Sequence, residues 1–279
     1  MKENKSEDKA GAAAAIKPPG VIDEERPFPE PEMNFEPWDE DTTTWKSILL
    51  IDAKTYNVEP LFDLPACPRR GSNYLVSPNQ TFAYQNAIVP AGFPLKMNGV
   101  NGNGHVVWND PIVLPTLVDL TTDHFGKPFN QSVSAPERVH MGNVWMSLSP
   151  NEILTQRPGV RKAKNKVLVG GLGLGWFLRK VCEKEEVQEV VVVEQSQELL
   201  DWYGYDLCRR YAKVSDVICD DVYNQLGKHG PKTRYLLDIW PCLSHSQTDR
   251  QLAKARKRLT HHLWAWGDEY LAPANYLAS

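Results

Sequence analysis

The stretch Lys166-Val-Leu-Val-Gly-Gly-Leu-Gly-Leu-Gly-Trp176 decides the fold class of this chain. An apolar run long enough for one buried strand ends in alternating glycines, Gly171, Gly173 and Gly175, and an amphipathic segment follows. Glycines at this spacing let the backbone turn sharply and approach a ligand, because they carry no Cβ that would collide with it. A second strand-like run, Glu189-Val-Val-Val-Val-Glu194, then ends in a carboxylate. This order is typical of an adenosine site, since ribose hydroxyls need an acceptor.

The composition is that of an ordinary globular protein. The 279 residues are 42% hydrophobic and 24% charged, with a formal net charge of −4, and this length allows one large or two modest domains. Met1 to Asp41 holds twelve acids and five bases, a charge of −7 that leaves the remainder at +3. A nucleic-acid binder usually shows a strong basic excess on its folded part, so we do not expect a nucleic-acid partner.

Five cysteines are scattered along the chain without any CxxC pair. This pattern argues against a disulfide framework or a zinc site, so we expect no metal and a reducing compartment. No apolar run reaches the roughly 20 residues that a membrane span needs, and Ala12–Ile16 is too short for the core of a signal peptide. The sequence therefore predicts a soluble, cytoplasmic protein without a membrane partner, and no feature specifies its oligomeric state.

The sequence predicts a tail and a small β domain before the glycine stretch. Residues 1–42 bury too little apolar surface to offset their ordering entropy, which predicts a disordered acidic tail. Residues 43–143 predict a small, mostly-β domain on the substrate side, with a strand at Trp45–Ala53 and a hairpin at Phe93–Trp108, whose Asn-Gly pairs tolerate positive φ. We expect its aromatic residues to form the other wall of the acceptor pocket. They are Tyr56, Phe62, Tyr74, Phe82, Tyr84 and Trp108.

Residues 144–279 predict an α/β domain. Val144–Ser147 is predicted as a strand with Trp145 in the core, and Ser149-Pro-Asn-Glu152 as a helix start that Pro158-Gly159 ends. Strands and helices then alternate, which predicts a doubly wound (Rossmann-like), mostly parallel sheet abbreviated to five strands. The predicted strands are Val167–Val169, Val190–Glu194, Val214–Cys219, Arg234–Asp238 and His262–Trp266. The predicted helices are Trp176–Lys184, Gln197–Ala212, Val222–Leu226 and Asp249–Thr260.

Acidic residues follow three of these strands. In a doubly wound sheet, ligands bind beyond the carboxyl ends of the strands, where the strand order reverses. The residues predicted there are Gly170–Gly175, Glu194, Asp220, Asp221 and Asp238. Because unpaired carboxylates are costly to bury, an acidic ring indicates a site lined with acceptors. Such a ring suits a ligand with ribose hydroxyls, an exocyclic amine and a positive centre, and S-adenosylmethionine has all three.

A nicotinamide dinucleotide, NAD(P), is the other ligand to consider. The dinucleotide fingerprint has a small residue three positions after its second glycine, and this chain has Trp176 there. We expect the indole to obstruct strand–helix packing and to crowd a pyrophosphate. The sequence therefore favours S-adenosylmethionine over NAD(P).

Residues 144–266 resemble a class I S-adenosylmethionine-dependent methyltransferase domain, closest to its spermidine-synthase-like branch. A small β domain before the glycine strand is also similar to that branch. The matching stretches are Val167-Leu-Val-Gly-Gly-Leu-Gly-Leu-Gly175, Val191-Val-Val-Glu194, Cys219-Asp-Asp-Val-Tyr-Asn-Gln-Leu226 and Leu236-Leu-Asp-Ile-Trp-Pro241.

The resemblance implies the cofactor-binding residues. The glycines Gly171, Gly173 and Gly175, with Gly170 before them, would lie under the methionine and ribose portions. Glu194 would accept hydrogen bonds from both ribose hydroxyls. The alternative for Glu194 is that it only caps the next helix or pairs with a lysine.

The resemblance also implies the residues of the reacting end. Asp221, or else Asp220, would accept the adenine amine, unless the pair only caps the following helical turn. Asp238 would lie beside the sulfonium and the incoming nucleophile as the catalytic residue, unless it is a simple turn acid. Trp240 either flanks the substrate pocket or covers the sheet edge.

Three positions depart from the family pattern. Common methyltransferases carry an acid where this chain has Val169, and spermidine synthases carry an aspartate where it has Gly173. Spermidine synthases also end the fourth strand with two aspartates, whereas Asp238 is followed here by Ile-Trp-Pro. The last departure argues against aminopropyl transfer.

The leading expectation is therefore an S-adenosylmethionine-dependent methyltransferase that acts on a small-molecule or protein acceptor. A scaffold that binds S-adenosylmethionine or another nucleotide without turnover is the second hypothesis. A spermidine-synthase-like aminopropyltransferase ranks below it.

Overall fold

The computed structural model describes residues 33–44, 46–99, 102–241, 245–259 and 262–268, and it describes only the backbone at 98, 99, 102, 103, 245 and 247. From Phe35 onward the chain forms one compact unit. The predicted tail, residues 1–42, lies mostly outside the described part. Its disorder and the predicted domain boundary at residue 143 stay predictions.

The N-terminal part is built mainly of strands. In chain order they are β1 (Glu36–Pro37), β2 (Ile48–Asp52), β3 (Leu75–Val76), β4 (Phe82–Val89), β5 (Leu95–Gly99), β6 (Gly102–Trp108) and β7 (Ile112–Asp123), followed by α1 (Ala135–Met141) and β8 (Gly142–Ser147). They form two four-stranded sheets, β1-β2-β6-β5 and β3-β4-β7-β8. The second sheet is antiparallel throughout.

Two predicted β elements of this part are confirmed. The strand expected at Trp45–Ala53 is β2, although Trp45 itself lies outside the described residues. The expected hairpin is β5 and β6, which pair antiparallel up to Gly99 and Gly102. Its tip, residues 100 and 101, is not among the described residues.

Helices and parallel strands alternate in the rest of the chain. In order they are α2 (Pro150–Lys162), β9 (Asn165–Gly170), α3 (Trp176–Glu183), β10 (Val187–Glu194), α4 (Gln197–Leu199), α5 (Tyr205–Arg209), β11 (Val214–Cys219), α6 (Val222–Gln225), β12 (Arg234–Leu237), α7 (His245–Thr248), α8 (Arg250–Leu259) and β13 (Leu263–Ala265). A π-helical turn, Leu200–Gly204, joins α4 to α5. The predicted helix Gln197–Ala212 is therefore interrupted, and its last α-helical residue is Arg209.

The five strands β9 to β13 form one parallel sheet in the order β11-β10-β9-β12-β13. The chain first adds strands on one side of β9 and then continues on the other side, so the order reverses between β9 and β12. In this register Gly170 lies between Val193 and Leu237. The predicted α/β class is thereby confirmed, and the carboxyl ends of β9, β10 and β12 meet at one edge.

Both faces of this sheet are buried. Successive side chains of β9 point to opposite faces, and Val167 and Val169 belong to one hydrophobic cluster whereas Leu168 belongs to another. The first cluster also contains residues of α2, α3, α4, α5 and the N-terminal sheets. The second contains residues of α6 and α8. Full burial of each such aliphatic side chain contributes roughly 1.5–3 kcal/mol.

Helix α2 differs from its prediction at the C-terminal end. Ser149 caps its start, since the Ser149 hydroxyl accepts from the Glu152 amide at 3.3 Å. The prediction that Pro158 and Gly159 end the helix is wrong, because α2 continues to Lys162. At Gly159 the helix packs directly on the Trp264 ring, where a Cβ would collide. This tertiary contact outweighs the local cost of proline and glycine inside a helix.

No helix in the described part of the chain is both long and apolar enough to cross a membrane.

The variant Gly159→Ala tests the contact between α2 and β13. Helix propensity alone predicts that this change raises the free energy of unfolding by about 0.5–1 kcal/mol. Overpacking typically costs about 1–3 kcal/mol, and the added Cβ meets the Trp264 ring, so we expect a net loss of about 1–2 kcal/mol in the free energy of unfolding. Chemical denaturation measures it. In a Trp264→Leu background the loss should shrink, and an equal loss in both backgrounds would contradict the assigned contact.

Candidate functional site

The strand ends enclose a crevice at the edge of the parallel sheet where the order reverses. Seven of the nine sequence-predicted site residues line it: Gly171, Gly173, Glu194, Asp220, Asp221, Asp238 and Trp240. The other described residues that line it are Trp145, Met146, Glu152, Gln156, Val193, Gln195, Val222, Ile239 and Trp266.

The two remaining predicted residues, Gly170 and Gly175, do not line the crevice. Gly170 lies beneath it as the last residue of β9, packed against Val222 and Leu237. Gly175 precedes α3 and packs against Leu207. Both residues allow the glycine turn to pack closely against the neighbouring side chains, because there is no room for a Cβ at either position.

The glycine turn rests directly on the neighbouring strand ends. The Gly171 amide donates to the Val193 carbonyl at 2.8 Å, and the Asp238 amide donates to the Gly170 carbonyl at 2.8 Å. At a φ of 88°, Gly171 adopts a left-handed conformation, and a Cβ there would collide with the Asp238 carbonyl. Only glycine therefore permits this approach of the turn to the end of β12.

Glu194 ties the end of β10 to the turn. One carboxylate oxygen accepts from the Leu172 amide at 2.9 Å, and the other accepts from the Ser196 amide at 2.8 Å. Burial raises the pKa of this carboxyl, although hydrogen bonds from Ser196, Leu172 and Gln195 oppose the shift. No lysine pairs with Glu194 in the described part. A carboxylate has about four acceptor positions, so capacity remains for hydroxyl donors.

Asp220 and Asp221 follow β11 and differ in how many hydrogen bonds they already accept. The two oxygens of Asp220 accept from the Asn224 and Gln225 side chains at 2.9 and 2.5 Å, and these bonds lower its pKa. Asp221 Oδ1 accepts from the Tyr223 amide at 2.9 Å and caps α6, and this cap is compatible with a ligand contact at the other oxygen. Among the described residues nothing donates to Asp221 Oδ2, so Asp221 is the better acceptor for a ligand.

Asp238 lies at the base of the crevice against α2. The Gln156 amide group donates to Asp238 Oδ2 at 2.5 Å. Burial raises the pKa of the Asp238 carboxyl to about 7, and the Gln156 hydrogen bond opposes that shift. Gln156 is 2% exposed, and its Oε1 is buried without a hydrogen-bond partner among the described residues. A buried acceptor without a donor is costly, so this atom needs a donor, from water or from a ligand, that the described residues do not supply.

Glu152 is a site residue that sequence reasoning missed. It is read from the sequence as part of a helix start, but its carboxylate turns back to β8, where it accepts from the Ser147 amide and hydroxyl at 2.8 and 2.7 Å. Burial and repulsion from Asp238 raise its pKa to about 8. Near neutral pH the Glu152 carboxyl therefore holds its proton more readily than Asp238 does. An acid three residues after the Ser149 cap was the only signal, and capping already explained it.

Three tryptophans form the crevice walls. The Trp240 indole donates to Asp249 at 3.1 Å, and the Trp266 indole donates to Thr155 at 2.9 Å, so both rings are held in place. The prediction that Trp145 belongs to the core is wrong, because this side chain is 37% exposed and lines the crevice. The sequence pattern of β8 does not show which of its faces meets the sheet edge.

Met146 covers the glycine turn. Its sulfur accepts from the Leu174 amide at 2.9 Å, and it lies where a Cβ on Gly173 would be. The cavity that remains measures about 110 Å³, whereas small-molecule pockets usually measure about 300–1,000 Å³. An adenosine-sized ligand therefore requires Met146 to move or lies partly in solvent.

The charge of the crevice has one sign. Five carboxyl groups line it, and none of the described lining residues is a lysine, arginine or histidine. Such a site disfavours a pyrophosphate and favours a cationic ligand, because like charges repel in a poorly solvated crevice.

Trp176 does not obstruct the crevice. Its indole donates to Glu40 at 3.1 Å, and the side chain is buried outside the crevice lining. The expected steric conflict with a pyrophosphate is therefore not present, and the acidic lining replaces it as the argument against a dinucleotide.

The aromatic residues predicted for the acceptor wall do not line the crevice in the described part of the chain. Tyr56, Tyr84 and Trp108 are instead buried in the main hydrophobic cluster, where Trp108 is 1% exposed. Large aromatic surfaces gain most from full burial, so richness in aromatics alone did not identify a pocket wall.

The variant Glu152→Gln tests the raised pKa. The unfolded chain ionises this group near 4.5, but the folded state keeps the proton up to about 8. The folded state thus binds more protons between these values, so the wild-type free energy of unfolding falls as pH rises. Glutamine does not titrate, so the variant lacks this fall in the free energy of unfolding. We expect the variant to be more stable by about 1–2 kcal/mol at about pH 8 and equal to wild type near pH 4.5; each pKa unit corresponds to about 1.4 kcal/mol, discounted because the side chain is partly exposed.

Denaturation at a series of pH values measures this effect, with the surface variant Glu185→Gln as the control. An unchanged pH slope in Glu152→Gln would show that Glu152 ionises normally in the folded protein.

The described residues include no group of three or more side chains placed to hold a metal ion. The sequence matches no protein-family model, and no curated protein matches it significantly. The functional conclusion therefore depends on the geometry and chemistry of the crevice.

Proposed function

We propose that this chain binds S-adenosylmethionine in the crevice and transfers its methyl group to an amine or hydroxyl of a small-molecule or protein acceptor. In this proposal the parallel sheet is an abbreviated Rossmann-like methyltransferase domain. The observation that carries it is the convergence of Gly171, Glu194, Asp221 and Asp238 on one crevice at the reversal of strand order. Ligands of open α/β sheets bind at that place.

Three parts of the cofactor, namely the ribose, the adenine and the sulfonium, have chemically suitable partners. Glu194 retains acceptor capacity for the two ribose hydroxyls, and Asp221 Oδ2 is open to the adenine amine. The sulfonium carries a positive charge, which suits a crevice lined by five carboxyl groups and by the rings of Trp145 and Trp240. Aromatic faces and carboxylates both stabilise a cation.

The acceptor is expected to react beside Asp238. S-adenosylmethionine supplies a methyl group already activated by its sulfonium, so the protein mainly aligns the reactants, which contributes on the order of 7–11 kcal/mol. The acceptor lone pair forms the new bond to carbon as the carbon–sulfur bond breaks, and Asp238 takes the proton. A base works best with a pKa near the working pH, and the pKa of Asp238 is about 7. Gln156 Oε1, which has no partner among the described residues, would accept a hydrogen bond from a second hydrogen of the amine or hydroxyl that receives the methyl group.

The carboxyl groups of Glu152 and Asp238 differ in how readily they hold a proton. The higher pKa of Glu152, about 8, leaves it neutral when Asp238 ionises, and such a separation assigns the acid and the base. A neutral Glu152 also supplies no second negative charge for a diamine. Aminopropyl transfer therefore stays below methyl transfer.

Calorimetry of the full chain with S-adenosylmethionine and with S-adenosylhomocysteine tests the binding site. We expect both ligands to bind wild type, and Glu194→Gln to weaken binding roughly tenfold to 150-fold, because a hydrogen bond to a charged group contributes roughly 1.5–3 kcal/mol.

The matched control is Glu189→Gln, which neutralises an acid on the same strand, β10, at a distance from the crevice lining. It should bind like wild type. Absence of binding to wild type at millimolar ligand, or equal weakening in both variants, would end the proposal for this crevice.

A scaffold that binds the ligand without turnover is the second candidate function. Two observations favour it. Met146 covers the glycine turn, and its sulfur already accepts the hydrogen bond of the Leu174 amide. Val169, at a position where common methyltransferases carry an acid, is fully buried. In that case the crevice would hold the ligand without presenting it to an acceptor.

The variant Asp238→Asn separates the two candidates. For a transferase we expect it to bind S-adenosylmethionine within about threefold of wild type but to transfer methyl groups to cell extract at least about 100-fold more slowly, since a general base contributes typically 10²–10⁴-fold. Transfer of a radioactive methyl group measures this. A wild-type chain that binds the ligand but labels no component of the extract would support the scaffold instead.

A further inference from the structure

A second cavity lies between the two N-terminal sheets and the start of α2. It measures about 320 Å³ and is lined mostly by aliphatic side chains, among them Ile88, Val89, Met97 and Leu114. None of its described lining residues belongs to the crevice lining. Its size falls within the range of about 300–1,000 Å³ that is usual for small-molecule sites.

Arg70 brings a positive charge to this cavity. Its Nη2 donates to the backbone carbonyls of Val139 and Gly142 at 3.1 and 2.9 Å, which holds the guanidinium in place. Its Nε is buried and has no hydrogen-bond partner among the described residues. Burial lowers the pKa of this guanidinium, but an arginine stays charged in proteins.

No carboxylate of the described chain pairs with Arg70. The Arg70 side chain is partly exposed, so solvent offsets part of the cost of its unpaired charge, but its buried Nε donor without an acceptor is unfavourable. Among the described residues, neutral carbonyls accept hydrogen bonds from one of its nitrogens, Nη2. An anion with an acceptor atom at Nε would supply both a counter-charge and the acceptor that this donor needs.

Two further features favour an anion at the same place. Lys96 lines the cavity and is exposed to solvent. Ser149 and Pro150, at the N-terminus of the 13-residue helix α2, also line it, and the positive end of a helix dipole stabilises a negative charge.

We propose that this cavity is a binding site for a carboxylate with an aliphatic chain, whose carboxylate pairs with Arg70 and whose chain packs between the two N-terminal sheets. The charged part follows from the unpaired Arg70 Nε. The chain follows from the aliphatic walls, which a fully polar anion would leave uncovered. The site is independent of the function proposed for the crevice.

Calorimetry of the full chain with octanoate, 1-octanol and acetate tests the proposal. Octanol has the chain without the charge, and acetate has the charge without the chain. We expect octanoate to bind saturably and at least tenfold more tightly than either control, because a charge-assisted hydrogen bond adds to burial of the chain. Equal binding of octanoate and octanol, or no saturable binding of octanoate at millimolar concentration, would overturn it.

Variants locate the site. Arg70→Gln should weaken octanoate binding at least tenfold and leave octanol binding unchanged, whereas Arg69→Gln, which removes the neighbouring exposed arginine, should bind octanoate like wild type. Ala87→Phe keeps both arginines and places a ring at the cavity wall, so it should abolish binding. Because Ala87→Phe leaves the Arg70 hydrogen bonds intact, it decides the question even if Arg70→Gln fails to fold. Undiminished octanoate binding in Ala87→Phe would show that the proposed cavity is wrong.

Discussion

The hydrogen bonds between Gly170, Gly171 and their neighbouring strands are the constraint on which the rest of the site depends. The Gly171 amide donates to Val193 and the Asp238 amide donates to Gly170, so the turn lies against both adjacent strand ends. A Cβ at Gly171 would collide with the Asp238 carbonyl. Because this approach is so close, Glu194 and Asp238 face the same crevice although 44 positions separate them in the sequence.

The described lining of the crevice concentrates acids without counter-charges, and the surrounding protein offsets the cost of burying them in different ways. Backbone amides stabilise the Glu194 carboxylate, and side-chain amides stabilise Asp220. At Glu152 and Asp238 burial outweighs the hydrogen bonds and raises the pKa values to about 8 and 7. Burial of unpaired carboxylates destabilises the free protein. The same burial suits these groups to hold a cation and to accept a proton near neutral pH.

Much of the C-terminal half was predictable because its patterns are local. Runs of valine between turn residues marked β9 and β10, and the strand over Val214–Cys219 agrees with its prediction residue for residue. Helix α2 was mispredicted at Pro158 because the contact of Gly159 with Trp264 joins residues more than a hundred positions apart. For the same reason Glu152, Gln156, Met146 and the exposed face of Trp145 were missed, since only the packing of β8 and α2 on the sheet edge places them there.

The sequence by itself determined the alternation of strands and helices, the glycine turn after β9 and the acids that follow three strands, because hydrophobic periodicity and backbone sterics act over a few residues. The tertiary structure alone decided which of those acids share a crevice and which of them keep a proton. It also decided that Trp176 faces Glu40 rather than the crevice, and that Arg70 lies beside an apolar cavity with no counter-charge among the described residues. Burial and electrostatic coupling depend on groups brought together from distant segments, and no local pattern encodes those distances.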